Sequence, residues 1–139
     1  MIKVPFCKPY ISEKELVKVS ETIRNNWITT GKITAEVEKK LEEYLGAKHV
    51  ILLNSGTAAL QLSLEWYKKK LPKDFTVLVP SLTFAATATE VVHAGGNVVF
   101  GDVGKDMCLI PNEDKNDIVI PVHLTGVKAK TDYNCFVIE

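Results

Sequence analysis

The sequence predicts an α/β fold, a mostly parallel sheet with helices on both faces. Three observations carry that expectation. Apolar runs rich in Val, Ile and Leu recur at residues 50–53, 75–79, 98–100, 118–120 and 135–138, as expected for strands covered on both sides. Helical patterns or loops too long for hairpins separate the runs, and parallel strands need such crossovers. Pro80, Gly101 and Pro121 close three of the runs.

Composition narrows the function classes. The 139 residues are 46% hydrophobic and 24% charged, a globular balance that allows a sizeable core. Seventeen basic and seventeen acidic residues cancel, so no net field favours nucleic acid or an anionic membrane surface. No apolar run approaches the roughly 20 residues that span a bilayer, and the Met1 end lacks a signal-peptide pattern, so a cytoplasmic location is expected. Cys7, Cys108 and Cys135 are scattered and read as reduced thiols rather than a disulfide framework or a zinc site. No metal site is expected.

In chain order, residues 5–11 are too rich in Pro and aromatics for a regular element and read as an arm or loop. Ser12-Glu13-Lys14-Glu15 is a capping box, and Leu16, Val19, Ile23 and Trp27 extend one apolar stripe behind it. Asn25 and Asn26 weaken the helix, and Trp27-Ile28-Thr29-Thr30-Gly31-Lys32 follows as a glycine-closed connection whose aromatic serves either packing or a ligand. Thr34 can cap a second helix with Val37, Leu41, Tyr44 and Leu45 on its apolar face, and Gly46 ends it.

The most informative stretch is His49-Val50-Ile51-Leu52-Leu53-Asn54-Ser55-Gly56-Thr57-Ala58-Ala59-Leu60, which reads as strand, tight turn and helix. Free N–H groups at a helix start, the hydroxyls of Ser55 and Thr57, and the bare backbone of Gly56 together suit a phosphate. The same residues also suit a plain helix cap, and spacing alone leaves both readings open. Lys68-Lys69-Lys70 reads as a solvated helix end, with Pro72 beyond it. A helix from Phe84 to about Ala94 should follow Ser81 or Thr83, and Gly95-Gly96 should end it. Residues 105–117 look like a loop with one turn, and 124–134 like a crossover pared to the minimum. Glu139 lies at the carboxyl end of the final run, where open α/β sheets place ligand groups.

Five motifs then stand in order. They are Asn54-Ser55-Gly56-Thr57-Ala58-Ala59-Leu60, Pro80-Ser81-Leu82-Thr83-Phe84-Ala85-Ala86-Thr87, Gly96-Asn97-Val98-Val99-Phe100-Gly101-Asp102-Val103, Pro121-Val122-His123-Leu124-Thr125-Gly126 and Val137-Ile138-Glu139. Together they resemble the DegT/DnrJ/EryC1/StrS family of pyridoxal-phosphate-dependent sugar aminotransferases. The similarity extends to residues 5–10, 27–31 and 38–46, and so covers almost the whole chain.

The resemblance implies the N-terminal part of a fold type I large domain, with residues 1–33 as arm, helix and loop and 34–139 as an incomplete cofactor-binding α/β domain. It implies that Gly56, Thr57 and Ala58 hold the phosphate of pyridoxal 5'-phosphate and that Phe84 stacks on its ring. Thr29, Thr30, Gly31 and His123 are the implied substrate-side positions, although a structural His123 is an equal reading. Substrates would be a nucleotide-linked keto-sugar and an amino-acid donor. A homodimer or a complementing C-terminal chain is the implied assembly.

Two family residues have no counterpart. The Asp that follows Val-Ile-Glu and pairs with the pyridinium nitrogen is not in the sequence, and no lysine lies in a segment resembling the family's covalently anchoring one. Covalent cofactor attachment is therefore not possible in this chain, and the expectation is an N-terminal fragment inactive alone. The alternative is a non-catalytic relic or interaction module that keeps at most the phosphate-binding turn. A Rossmann-type nucleotide site is disfavoured because the turn has one Gly where that fingerprint needs three.

Overall fold

The computed structural model describes residues 8–111 and 115–139. Residues 5–7 of the expected arm, including Cys7, and residues 112–114 of the expected loop lie outside the described residues. The chain forms two compact units, Met1–Leu52 and Leu53–Glu139.

The first unit carries helices α1 (Glu13–Arg24) and α2 (Lys32–Leu45). The capping box forms as the sequence predicts: the Ser12 N–H donates to Glu15 Oε2 at 2.6 Å, and the Ser12 side chain meets the same carboxylate. The carboxylate of Glu15 is held below its usual range by those bonds to the Ser12 side chain and backbone. Asn25 caps the other end and Asn26 turns into the left-handed region, φ 55°. Trp27 therefore lies beyond the helix and donates its indole N–H to the Thr30 carbonyl at 3.0 Å.

Helix α2 starts earlier than a Thr34 cap would place it. Extended Gly31 is the cap residue, and its carbonyl accepts the Ala35 N–H at 3.1 Å. Gly46 ends the helix at φ 64°, a conformation that glycine adopts without steric cost.

Residues 50–53 do not form the expected strand. None of the four is in a strand, and two of their donors turn to side chains instead. The Val50 N–H donates to Glu42 Oε1 at 3.1 Å and the Leu52 N–H to Glu38 Oε1 at 2.9 Å. An apolar run supplies strand propensity, but pairing needs a neighbour.

The second unit runs α3 (Gly56–Lys68), β1 (Thr76–Pro80), α4 (Ala86–His93), β2 (Asn97–Gly101), β3 (Ile118–Val119), a 3-10 turn (Leu124–Gly126) and β4 (Phe136–Val137). The four strands pair in parallel in the order β2-β1-β3-β4. In-register pairs such as Val77↔Val98 and Val77↔Ile118 fix the centre of the sheet. Leu64 of α3 and Val91 of α4 bury completely against one face, with Val77, Val79 and Ile118. Leu78 and Val119 on the opposite face pack with Leu109, Tyr133 and Cys135.

Asp117 ties the starts of β1 and β3 together. Its Oδ2 accepts from the Thr76 N–H at 2.8 Å and from the Thr76 hydroxyl at 3.2 Å, while its own N–H donates to the Thr76 carbonyl at 3.1 Å. The loop after β2 folds back through a Val103↔Leu109 bridge, and the 124–134 crossover contains only the 3-10 turn. Cys108 and Cys135 are free, and burial raises both thiols above their ordinary range. No described helix is long and apolar enough to cross a membrane.

Candidate functional site

The strand order places a switch point at β1. The chain steps from β1 to β2 on one side and then crosses to β3 on the other. In open α/β sheets the segments leaving the strands at such a point diverge and leave a crevice at the carboxyl edge. A cleft of about 550 Å³ opens there, lined by the start of α3, by Phe84 and Thr87 after β1, by residues 120–123 after β3, and by Ile138 and Glu139 after β4.

The turn into α3 is a side-chain cap that leaves two backbone donors free of it. Ser55 is extended, its Oγ accepts the Ala58 N–H at 3.1 Å, and its carbonyl accepts the Ala59 N–H at 3.2 Å. Among the described residues no acceptor meets the N–H groups of Gly56 and Thr57, which keep the positive end of the helix dipole exposed. A Cβ built on Gly56 would meet nothing within 4 Å, so no contact inside the chain requires glycine there. The space above its backbone is open. Ala58 sits behind this pair with its N–H already engaged.

Phe84 precedes α4 rather than beginning it, and its carbonyl accepts the Thr87 N–H at 3.0 Å. Its ring is 77% exposed on the cleft wall, an unusual position for an aromatic that serves only a core. The hydroxyls of neighbouring Thr83 and buried Thr87 meet at 2.8 Å.

His123 lies on the same cleft with both ring nitrogens engaged. The Ala129 N–H donates to Nδ1 at 2.9 Å, and Nε2 meets Glu139 Oε1 at 2.7 Å. The structure thus gathers Gly56, Thr57, Phe84 and His123 around one cleft, from segments up to 67 residues apart between 56 and 123. Glu139 joins them. Sequence reasoning marked its place at a strand end but assigned it no role, and its pairing with His123 is set by strand order.

Thr29, Thr30 and Gly31 belong to the first unit. Thr29 and Gly31 line an apolar groove of about 930 Å³ along α1 and α2, together with Val19, Ile23 and Val37, while Thr30 supplies the acceptor for Trp27. A Cβ on Gly31 would overlap the Trp27 indole, so packing accounts for that glycine. Among the described residues no group of three His, Cys, Asp or Glu side chains is placed to hold a metal ion.

Comparison with known proteins gives a consistent match. Residues 9–133 match the model of the DegT/DnrJ/EryC1/StrS aminotransferase family. The UDP-4-amino-4-deoxy-L-arabinose–oxoglutarate aminotransferase of Shewanella sediminis is 32% identical over 93% of this chain and 34% of its own length. The PLP form of the candidate sugar aminotransferase Spr1654 from Streptococcus pneumoniae is 34% identical. It superposes with a TM-score of 0.79 over 92% of this chain and 34% of that one. The GDP-4-keto-6-deoxy-D-mannose-3-dehydratase of E. coli shares the fold, with a TM-score of 0.81 at 20% identity over 91% of this chain and 35% of that one. The chain spans about a third of the length of the relatives it matches.

Proposed function

The chain belongs to the DegT/DnrJ/EryC1/StrS aminotransferase family, and from that premise we propose that it is the N-terminal, phosphate-holding part of a nucleotide-sugar aminotransferase. The complete enzyme would convert a keto group on a nucleotide-linked sugar into an amine, with an amino acid as donor and pyridoxal phosphate as cofactor. The observation that carries this reading is the start of α3, where two N–H groups with no acceptor among the described residues and a side-chain-free Gly56 face a cleft walled by Phe84.

The residues present fit the cofactor's phosphate end. The Gly56 and Thr57 N–H groups and the Thr57 hydroxyl would hold the phosphate, with the α3 dipole adding to the attraction. Ala58 would contribute its N–H only in competition with the Ser55 hydroxyl. Phe84 would cover one ring face by dispersion and offset stacking. When bound, the cofactor supplies an electron sink at the carbon that exchanges its amine. On this reading the anchoring lysine and the carboxylate for the pyridinium nitrogen would be supplied by residues other than these 139, in the same polypeptide or a complementing one. Thr29, Thr30 and Gly31 are proposed as substrate-side residues on the family resemblance, and homodimer formation likewise.

Titration of pyridoxal phosphate into the chain, followed by amide NMR, tests the assignment. Reversible binding that shifts Gly56, Thr57 and Ala58 is expected. Binding that leaves those three amides unmoved would overturn it.

A further inference from the structure

We propose that His123 is a positioning residue of the cleft, a neutral imidazole that bridges Ala129 and Glu139 and so fixes where the Glu139 carboxylate stands beside a ligand. This deepens the reading of the cleft as the cofactor's and rests on it. Two hydrogen bonds fix the ring by their directions.

A backbone N–H can only donate, so the 2.9 Å contact from Ala129 requires a lone pair on Nδ1. An ionised carboxylate can only accept, so the 2.7 Å contact to Glu139 Oε1 places the ring proton on Nε2. The two neighbours together select one tautomer. A second proton on Nδ1 would point at the Ala129 N–H and break that bond. Ala129 is only 2% exposed, so water cannot replace the imidazole as acceptor for its N–H.

The bridge thus joins three segments: the stretch after β3, the connection before β4, and the end of β4. With both ring nitrogens committed, His123 is not a proton shuttle. Its effect passes through Glu139, whose Oε2 meets no partner among the described residues and can accept from a ligand hydroxyl or ammonium.

The test begins with the unaltered chain. Nitrogen-15 NMR of the imidazole at pH 8, where an ordinary histidine is neutral, should show a single tautomer with the proton on Nε2 and a bare Nδ1. A proton on Nδ1, or a mixture of tautomers, would overturn the proposal. Two variants then separate the halves of the bridge. His123→Asn keeps an acceptor near Ala129 but falls short of Glu139, so the Glu139 carboxyl carbon resonance should move while the Ala129 amide stays protected. His123→Gln keeps a donor for Glu139, so that resonance should hold while Ala129 exchanges about tenfold faster, the scale of one lost hydrogen bond. A Glu139 resonance that ignores His123→Asn would refute the positioning role. Failure of pyridoxal phosphate to bind the unaltered chain would sink the cofactor reading alone, since the tautomer and the Glu139 resonance are measured without ligand.

Discussion

Gly56 and Thr57 carry the clearest test at the residue scale. Thr57→Val removes a hydroxyl and keeps the shape, so phosphate binding should weaken by about 1–3 kcal/mol, the scale for a hydrogen bond to a charged group. Gly56→Ala separates stability from binding. A Cβ there meets nothing inside the chain and alanine is the better helix former, so stability should hold or rise while a phosphate finds its approach blocked. Phosphate titration against the amides of residues 56–58, paired with thermal melts, measures both effects. Unchanged phosphate affinity in both variants would mean that the turn is only a cap. The sequence left cap and anion site as rival readings of one turn, and the geometry of the cap leaves room for both. Ser55 consumes the Ala58 N–H, and the two donors ahead of it have no acceptor among the described residues. The partners of His123 were not legible, because Ala129 and Glu139 are 6 and 16 residues away and only the order of β3 and β4 brings them together.

At the element scale, the strands that could be read correctly are those whose neighbours lie within the sheet. Residues 76–80 and 97–101 combine apolar β-formers with a Pro or Gly stop, and they pair as β1 and β2 over five residues each. Residues 50–53 carry an equally apolar run and remain unpaired, since periodicity reports how a segment would bury its side chains and not whether a partner strand exists. The two-residue strand β3 has a side-chain clamp at its start. Asp117 meets three groups of Thr76, counting its own N–H, and Asp117→Ala would leave the partly buried Thr76 N–H without its acceptor. A loss of about 1–3 kcal/mol is expected by denaturant unfolding. Faster hydrogen exchange should be concentrated at Ile118 and Val119 and their partners on β1. A stability change below about 0.5 kcal/mol would show that β1–β3 pairing does not need this clamp.

Exposed apolar surface decides behaviour at the scale of the whole molecule. Helix α1 buries no residue, and among the described residues its amphipathic stripe of Leu16, Val19 and Ile23 is left 50–59% exposed. The 139-residue chain should therefore self-associate or melt without cooperativity, and a monodisperse, cooperatively unfolding monomer in ultracentrifugation and calorimetry would count against this. Catalysis gives the sharper test. Amine transfer on a pyridoxal-phosphate enzyme needs a lysine that anchors the cofactor and moves protons at the reacting carbon. Among the described residues no lysine lines the cleft that holds Gly56, Thr57 and Phe84, and none in the sequence stands in a motif resembling the family's anchoring one. Fold alone does not choose the reaction either, because a sugar dehydratase superposes as well as an aminotransferase does. The expected outcome is that this chain, supplied with pyridoxal phosphate, glutamate and a nucleotide-linked keto-sugar, forms no amino-sugar above the rate of free cofactor. Turnover by the pure chain would show that a lysine outside the cleft reaches it. Activity that appears only when a polypeptide resembling the other two thirds of the family's length is added would assign the anchoring lysine to that second piece.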